Sequence, residues 1–242
     1  MKSVCIIGAG PAGIAAAEVL GARKFDVTMF EKKDKPGGCI NLIPDSRFNK
    51  KHIEIWMGRL ESYGVKIHYN INVDLEDIKV LKDKYDYVLI ATGTQKVRQL
   101  EGVDGLYAID FLEKMKTIEN KKEFTGYNIA VIGGGNVAID CACEAAERGA
   151  NTMVFYRKTK EDMKATDKEF QHAESLGVKF AYNFEAYEFI KADAIIIAIG
   201  TEPLLPENIE DKRTFVIGDA STGSSSMANA MNHAKAIAGN IR

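Results

Sequence analysis

The sequence contains little cysteine and no spacing typical of a metal site. Its 242 residues include only Cys5, Cys39, Cys141 and Cys143. No Cys-x-x-Cys pair is present, which excludes the usual dithiol redox centre, and the spacings support neither zinc nor iron–sulfur ligation. The four histidines fall into no recognisable catalytic pattern. We therefore expect no metal site, and we name no side chain as a catalyst.

A large charge of one sign and long apolar runs are also lacking. Lys plus Arg number 32 and Asp plus Glu 34, giving a net charge of −2, so we expect no nucleic-acid or membrane partner. No apolar run reaches membrane-spanning length, and Met1 stands almost on the first predicted strand, which leaves no room for a signal peptide. The 46% apolar content is that of an ordinary globular protein, and we expect a cytoplasmic location.

The first fourteen residues combine a buried strand, a glycine-rich turn and the start of an alanine-rich helix. The turn reads Gly8-x-Gly10-x-x-Gly13, and its glycines let the backbone approach a pyrophosphate closely. Pro11 suits the first helical turn, where its missing N–H costs nothing. The unpaired N–H groups and the positive end of the helix dipole then face the phosphates. This pattern predicts a dinucleotide-binding site.

An acidic residue follows at the distance that such a site requires. Residues 27–30 read as the second strand, and Glu31 ends it 23 positions after Gly8. A carboxylate at this place accepts hydrogen bonds from a ribose. We therefore interpret Glu31 as a ribose ligand rather than as a solvated surface glutamate.

The strand and turn occur a second time, 125 positions later. Residues 129–138 reproduce them, with Gly133 in the place of Gly8 and Ala138 in the place of the third glycine. The fingerprint tolerates alanine there. Two nucleotide folds in one chain are far more specific than one glycine-rich turn.

The second copy differs from the first at the position that reads the ribose. Tyr156 replaces the acid, and Arg157 and Lys158 follow it. A carboxylate would repel a 2′-phosphate, whereas an arginine offers that phosphate a bidentate contact. The second site is therefore predicted to prefer NADPH over NADH, with Lys164 as a further candidate in the same cluster.

The remaining periodicity predicts the elements that complete the two folds. Apolar residues at helical spacing indicate a helix around residues 53–60, and residues 65–73 alternate like a strand. Residues 85–94 and 192–201 end in the same small-residue pattern, Ala-x-Gly-Thr. A last strand stops at Asp219 and precedes a helix over 224–241.

These elements predict an α/β fold of two Rossmann-like dinucleotide-binding domains, one inserted in the other. Residues 97–125 read as the passage into the inserted domain. The outer domain comprises residues 1–95 and 202–242, and the inserted domain comprises residues 96–201.

With these residues assembled, the chain resembles the pyridine-nucleotide-dependent flavoprotein reductases, in which an NAD(P)H domain is inserted in an FAD domain. Within them it is most similar to the small subunit of NADPH-dependent glutamate synthase and related electron-input modules. The resemblance rests on both glycine-rich turns, Glu31, residues 36–38, residues 43–50, Tyr156 to Lys158 and the pair Gly218-Asp219. It covers nearly all of the chain.

The resemblance implies a role for individual residues in binding FAD and NADPH. In the FAD domain the pyrophosphate, the adenosine ribose, the adenine, the ribityl phosphate and the flavin ring would contact Gly8, Gly10, Pro11, Ala12, Gly13, Glu31, Lys32, Gly38, Cys39, Arg47, Val73, Ala91, Thr92, Gly93, Gly218, Asp219 and Met227. In the NADPH domain the contacts would come from Gly133, Gly135, Asn136, Val137, Arg157, Lys158, Lys164 and Gly200. Asp219 is the implied ribityl-phosphate ligand, and Met227 the residue nearest the isoalloxazine ring.

The second fold departs from the family pattern in its length. Gly8 and Gly93 are 85 positions apart, but Gly133 and Gly200 only 67. The family normally carries a small antiparallel β insertion before the final strand, and residues 184–191 leave no room for it. The loss of this cover is expected to expose apolar surface that a partner protein can occupy.

Three functions remain open from the sequence. The leading hypothesis is an FAD-dependent NADPH oxidoreductase that passes electrons to a separate acceptor, either a partner protein or a small molecule, as a possible homo- or hetero-oligomer. The second is a self-sufficient reductase of a disulfide or a small oxidant that uses Cys39 near the flavin. The third is a flavin- or nucleotide-binding structural subunit that does not turn over, which the shortened second fold suggests.

Overall fold

The computed structural model describes residues 1–120, 122–163, 165–205 and 209–242. The chain divides into two compact units. The first unit comprises Met1–Asn41, Asp45–Lys96 and Thr201–Arg242, and the second comprises Leu42–Pro44 and Val97–Gly200. These divisions fall one residue from the predicted ones at 95/96 and 201/202, but the short segment Leu42–Pro44 was not expected in the second unit.

Twelve strands and eight α-helices are present in the described ranges. In chain order they are β1 (Ser3–Ile7), α1 (Pro11–Ala22), β2 (Asp26–Phe30), α2 (Lys51–Ser62), β3 (Lys66–His68), α3 (Leu75–Lys84), β4 (Tyr87–Ile90), β5 (Lys96–Val97), β6 (Leu106–Tyr107), α4 (Ala108–Met115), β7 (Asn128–Ile132), α5 (Asn136–Glu147), β8 (Asn151–Phe155), α6 (Asp167–Ser175), β9 (Lys179–Ala181), β10 (Ala194–Ile197), β11 (Thr201–Glu202), β12 (Thr214–Val216), α7 (Asp219–Thr222) and α8 (Met227–Asn240). Short 3₁₀ turns cover Gly38–Leu42, Lys160–Asp162 and Tyr187–Phe189.

Each unit is built on a five-stranded parallel sheet, and equivalent strands lie in the same spatial order in the two sheets. The edge strand comes last in the chain in the first unit (β12) and first in the second (β6). The order is β12-β4-β1-β2-β3 in the first unit and β6-β10-β7-β8-β9 in the second. In both, the strand before the glycine-rich turn is central, and β1 is buried on both faces because helices cover the sheet from two sides. Two Rossmann-like folds are therefore confirmed, as is the insertion of one in the other. Strands β5 and β11 pair as a separate two-stranded sheet.

The backbone contacts of the first unit recur in the second, which extends the repeat from sequence to structure. The N–H of the first glycine of each turn donates to the last carbonyl of the neighbouring strand, β2 or β8. The residue after β4 or β10, which we call the closing strand of its unit, donates its N–H to the last carbonyl of the central strand, β1 or β7. The first pair of equivalent bonds is Gly8 to the Phe30 carbonyl (2.8 Å) and Gly133 to that of Phe155 (3.0 Å); the second is Ala91 to the Ile7 carbonyl (2.8 Å) and Ala198 to that of Ile132 (2.8 Å).

In each unit an arginine at the end of one helix binds backbone carbonyls at the end of another, and we call this contact the arginine staple. Arg23, at the end of α1, donates to three carbonyls at the end of α8, Ala238, Gly239 and Ile241, at 2.6 to 3.1 Å. Its equivalent Arg148, at the end of α5, binds three carbonyls at and after the end of α4 at 2.9 to 3.1 Å. Both guanidinium groups thus satisfy carbonyls that have no partner within their own helix.

Two elements predicted around the sheets have different outcomes. The strand expected over residues 65–73 was too long, because only Lys66–His68 pairs with β2. The chain then turns at Asn70, which has a positive φ of 58°, and Asp74 caps α3. The helix predicted around residues 53–60 is confirmed as α2, with Ile53 and Leu60 buried.

The shortened crossover of the second unit is confirmed. No strand lies between β9 and β10, a segment that the structure describes in full. The only regular element in this segment is the 3₁₀ turn Tyr187–Phe189, in which Phe189 is 75% exposed. An open groove of about 470 Å³ lies beside the segment. Asn128, Asn151 and Lys179, the first residues of three strands, line it.

Across the described ranges, no helix has the length and apolarity needed to cross a bilayer.

The Arg148 staple is expected to stabilise the second unit strongly. Its partner Glu144 is 3.0 Å away, and both side chains are nearly buried. Arg148→Met should lower the free energy of unfolding by about 3 kcal/mol, because it leaves a desolvated carboxylate and three carbonyls unpaired. Urea unfolding followed by circular dichroism measures the loss.

The matched control is Arg59→Met. Arg59 makes an ion pair of the same length with Glu18, also 3.0 Å, but the arginine is 56% exposed. Its removal should cost about 0.5 kcal/mol. Equal losses for the two variants would contradict the importance of burial for the staple.

Candidate functional site

The glycine-rich turn of the first unit is packed so closely that no side chain fits at its first or its last glycine. A Cβ on Gly8, which has a φ of 104°, would lie 2.6 Å from the Ala91 carbonyl oxygen. A Cβ on Gly13 would lie 2.0 Å from the oxygen of Gly8. We call such a turn bare, because glycines stand where a side chain does not fit. Helix α1 begins within this turn, so the N–H groups of its first turn lie at the carboxyl edge of the sheet, where anions bind.

Glu31 is buried against this turn and is not a solvated surface residue. The Ala9 N–H donates to one carboxylate oxygen at 2.7 Å, and the Lys33 N–H donates to the other at 2.9 Å. The side chain is 5% exposed. A carboxylate has about four acceptor positions, so it can still accept from a ribose while it holds the turn. The sequence did not reveal this second role.

Two other stretches come into contact with the turn. The Gly37 N–H donates to the Ala9 carbonyl at 2.8 Å, and a Cβ on Gly38 would lie 3.0 Å from the Cα of Gly10. A Cβ on Gly218 would lie 2.4 Å from the Cβ of Ala12. Residues that are far apart in sequence, and that were assigned to one ligand, therefore surround one turn.

Asp219 and Cys39 lie close enough to interact electrostatically. The Ser225 side chain donates to Asp219 at 2.6 Å, and the Ser225 N–H donates to the same carboxylate at 3.2 Å. Desolvation, together with the charge of Asp219, raises the pKa of the Cys39 thiol to about 11. Cys39 nevertheless has exposed surface, so it is crowded by protein without being enclosed. It is a neutral thiol at physiological pH.

The other predicted FAD ligands lie as follows. Thr92 and Gly93 directly follow Ala91, which places them at the same edge as the turn. Met227 is the first residue of α8, and its helix is capped by Ser226. Lys32 is exposed and Arg47 half-buried. Val73 packs against the cluster that contains Cys5 and Ile7 of β1.

The second unit repeats the bare turn with a different partner at its middle position. A Cβ on Gly133 would lie 2.3 Å from the Ala198 oxygen. The Tyr156 ring covers Gly134, where a Cβ would lie 2.2 Å from the ring. Glu31 and Tyr156 occupy equivalent positions, and each contacts the equivalent residue of its own turn: Glu31 contacts Ala9, and Tyr156 contacts Gly134. A carboxylate that binds an N–H allows alanine at 9, whereas a ring requires glycine at 134.

Positive charge stands exposed beside this second turn. Arg157 and Lys158 follow Tyr156 and are both exposed. Tyr187, from the short crossover, lies near Arg157: desolvation raises the pKa of Tyr187, and the guanidinium acts against that rise. Sequence reasoning missed Tyr187, because no motif marks the crossover.

The remaining predicted NADPH ligands border the same turn. Gly135 is the N-cap of α5 and Asn136 its first residue. Val137 is 44% exposed, and Gly200 ends the second unit two positions after Ala198. Lys164 lies outside the described residues.

Two Rossmann-like folds, each with a glycine-rich turn after its central strand, are typical of the pyridine-nucleotide oxidoreductases. The family described as pyridine nucleotide-disulphide oxidoreductase matches residues 2–190, and the chain belongs to it. The protein is therefore an oxidoreductase.

Two relatives show which kinds of oxidoreductase subunit this chain is similar to. The chain is 34% identical over 211 residues to the putative glutamate synthase [NADPH] small chain of Cereibacter sphaeroides, which covers 80% of this chain and 51% of the relative. It is 35% identical over 191 residues to the NADP(+)-dependent formate dehydrogenase subunit beta of Moorella thermoacetica, which covers 75% and 27%. The chain thus spans about half of the length of the first relative and about a quarter of the second. Solved structures share the fold: thioredoxin reductase of Lactococcus lactis superposes with a TM-score of 0.66 at 20% identity, over 98% of this chain and 97% of that one.

Another relative is longer than this chain within the aligned region. The match to the NAD-dependent dihydropyrimidine dehydrogenase subunit PreT of Escherichia coli is 28% identical over 277 residues and covers 98% of this chain and 67% of the relative. The aligned length exceeds the 242 residues of the chain, so the relative carries residues that this chain lacks.

The interaction of Asp219 with Cys39 gives a prediction about thiol reactivity. Asp219→Asn removes a negative charge that raises the Cys39 pKa, so the pKa should fall and the thiolate fraction at pH 8.5 should rise. Alkylation by iodoacetamide, read by mass spectrometry, should be accelerated by about twofold or more. The other three cysteines are buried and should not react. Asp86→Asn, in the residue before β4, is the control and should leave the rate unchanged. An unchanged rate in Asp219→Asn as well would contradict the coupling.

Proposed function

We propose that the protein is an FAD-dependent NADPH oxidoreductase, with FAD held by the first unit and NADPH by the second. Bound FAD would accept a hydride from NADPH and pass the electrons to a separate acceptor. The proposal rests on one observation: the same bare turn is built twice, with Glu31 against the first copy and Tyr156-Arg157-Lys158 at the second.

The residues of the first unit fit a dinucleotide that carries a free ribose. The turn from Gly8 to Gly13 offers N–H groups to a pyrophosphate, and Glu31 has acceptor positions left for two hydroxyls. Asp219, fixed by Ser225, offers a further carboxylate. These groups supply binding and orientation, which a cofactor reaction requires of its protein.

The residues of the second unit fit a nucleotide that carries an additional phosphate. Arg157 and Lys158 are exposed, so a 2′-phosphate can reach them, and a guanidinium binds phosphate in a bidentate manner. No carboxylate stands at the position of Glu31 to repel it. We therefore assign NADPH rather than NADH to this unit.

Hydride transfer requires close, aligned reactants more than a proton donor. Accordingly, we assign no residue the role of acid or base. The fourteen-residue helix α8 begins at Met227, and the N–H groups of its first turn favour negative charge nearby. The contribution of the chain is to bind, to orient and to favour charge at this place.

A partner protein is the proposed electron acceptor. Relatives are named as a small chain of glutamate synthase and as a beta subunit of formate dehydrogenase. The open groove and the exposed Phe189 of the second unit offer surface for such an assembly.

The two alternatives are less well supported. A disulfide reductase would need Cys39 as a thiolate, and its pKa of about 11 opposes that role. A structural subunit would be favoured if the shortened crossover removed the nucleotide edge, but the bare turn at Gly133 persists.

Reduction by NADPH tests the proposal directly. The purified protein, reconstituted with FAD, should be yellow, and anaerobic stopped-flow with NADPH should bleach the flavin absorbance. Cys39→Ser should bleach equally well. A yellow protein that NADPH cannot bleach would favour the structural subunit, and loss of turnover in Cys39→Ser with flavin still bound would favour the disulfide reductase.

Arg157→Ala tests the choice of nucleotide. The variant loses a charge-assisted phosphate contact, so the KM for NADPH should rise roughly tenfold or more. The KM for NADH should change less than about twofold, because NADH lacks that phosphate. Lys179→Ala, an exposed cation at the first residue of β9, is the control. Equal losses for both nucleotides would refute the role of Arg157.

A further inference from the structure

His233 of α8 holds the backbone of the turn that carries Asp219. The Gly218 N–H donates to the Nδ1 atom of His233 at 3.0 Å. A backbone N–H can only donate, so the ring atom facing it must be an acceptor. The imidazole is therefore neutral in this contact, with its proton on Nε2.

The conformation of Gly218 makes this bond important. Gly218 is buried and has φ 64° and ψ −147°, a combination that is accessible essentially to glycine alone. Its carbonyl already accepts from the N–H groups of Ser221 and Thr222 at 3.0 and 3.1 Å. His233 completes the hydrogen bonding of this peptide position, because a buried N–H without a partner is costly.

The turn is fixed on both sides by close packing. A Cβ on Gly218 would lie 2.4 Å from that of Ala12 in α1 and 3.6 Å from the Ala230 carbonyl in α8. Ala230 is buried, and it lies on the same face of α8 as His233 because it is three residues before it. Helix α8 is itself stapled to α1 by Arg23.

The second unit lacks this arrangement, although its strands lie in the equivalent spatial order. There β6 leads directly into α4, with Tyr107 as the N-cap residue, and no Gly-Asp turn intervenes. The arrangement thus belongs to the unit to which we assign FAD, and not to the fold that both units share.

We propose that His233 is a positioning residue for FAD: by accepting the Gly218 N–H it fixes the Gly218-Asp219 turn beside the glycine-rich turn, and with it the Asp219 carboxylate. This inference rests on the proposed function, because it names a residue that supports the FAD site. It assigns no chemistry to His233 itself.

The test compares substitutions that keep or remove the acceptor. Asparagine places Oδ1 near the position of Nδ1, whereas leucine and alanine offer no acceptor. In full-length protein freed of flavin, His233→Leu and His233→Ala should raise the Kd for FAD about tenfold, and His233→Asn should stay within about twofold of wild type. Fluorescence quenching of added FAD measures the Kd.

A readout without flavin separates positioning from packing. In protein labelled with ¹⁵N-glycine, the Gly218 amide should exchange faster in His233→Leu than in wild type and should keep its protection in His233→Asn. Equal behaviour of the asparagine and leucine variants in both measurements would overturn the inference, because a packing role favours leucine over asparagine. A wild-type protein that binds no FAD would refute the proposed function, while amide exchange would still decide whether His233 holds the turn.

Discussion

The structure depends on the close approach of a glycine to the carbonyl that ends the closing strand. At Gly8 a Cβ would lie 2.6 Å from the Ala91 oxygen, and at Gly133 one would lie 2.3 Å from the Ala198 oxygen. Because nothing larger than hydrogen fits, the central strand, the closing strand and the start of the helix are drawn together. The N–H groups of the helix are thereby left at the carboxyl edge of the sheet, where an anion can reach them.

One frame used twice allows two sites to differ by a few side chains. The residue after the second strand contacts the middle of the glycine-rich turn in both units, as Glu31 on the Ala9 N–H and as Tyr156 over Gly134. Glu31 brings a negative charge beside the first turn. Tyr156 brings none to the second turn, and the cation Arg157 follows it. The identity of the turn residue and the charge of the site are therefore linked, which neither motif reveals when read alone.

Much of the fold could be predicted from the sequence, because the signals are local. The turns and the central strands follow from residues that are close together in sequence, and the repeat follows from comparing two such stretches. The staple of Arg23 and the bond from Gly218 to His233 could not be predicted, since they join groups by long-range packing and involve backbone atoms that any residue possesses. The third strand was predicted too long because alternation continues past Asn70, where a positive φ ends the pairing.

The position of the shortening in the second unit bears on whether that unit can still bind a nucleotide. The groove left by the short crossover is lined by the first residues of β7, β8 and β9, at the amino ends of the strands, and it reaches Phe155, the last residue of β8. Gly133, Tyr156 and Ala198 follow the last residues of β7, β8 and β10, at the opposite edge. In a parallel sheet, ligands bind at the carboxyl ends of the strands. The lost cover therefore opens surface mainly towards the amino ends of the strands, and Gly133, Tyr156 and Ala198 are not part of the groove lining.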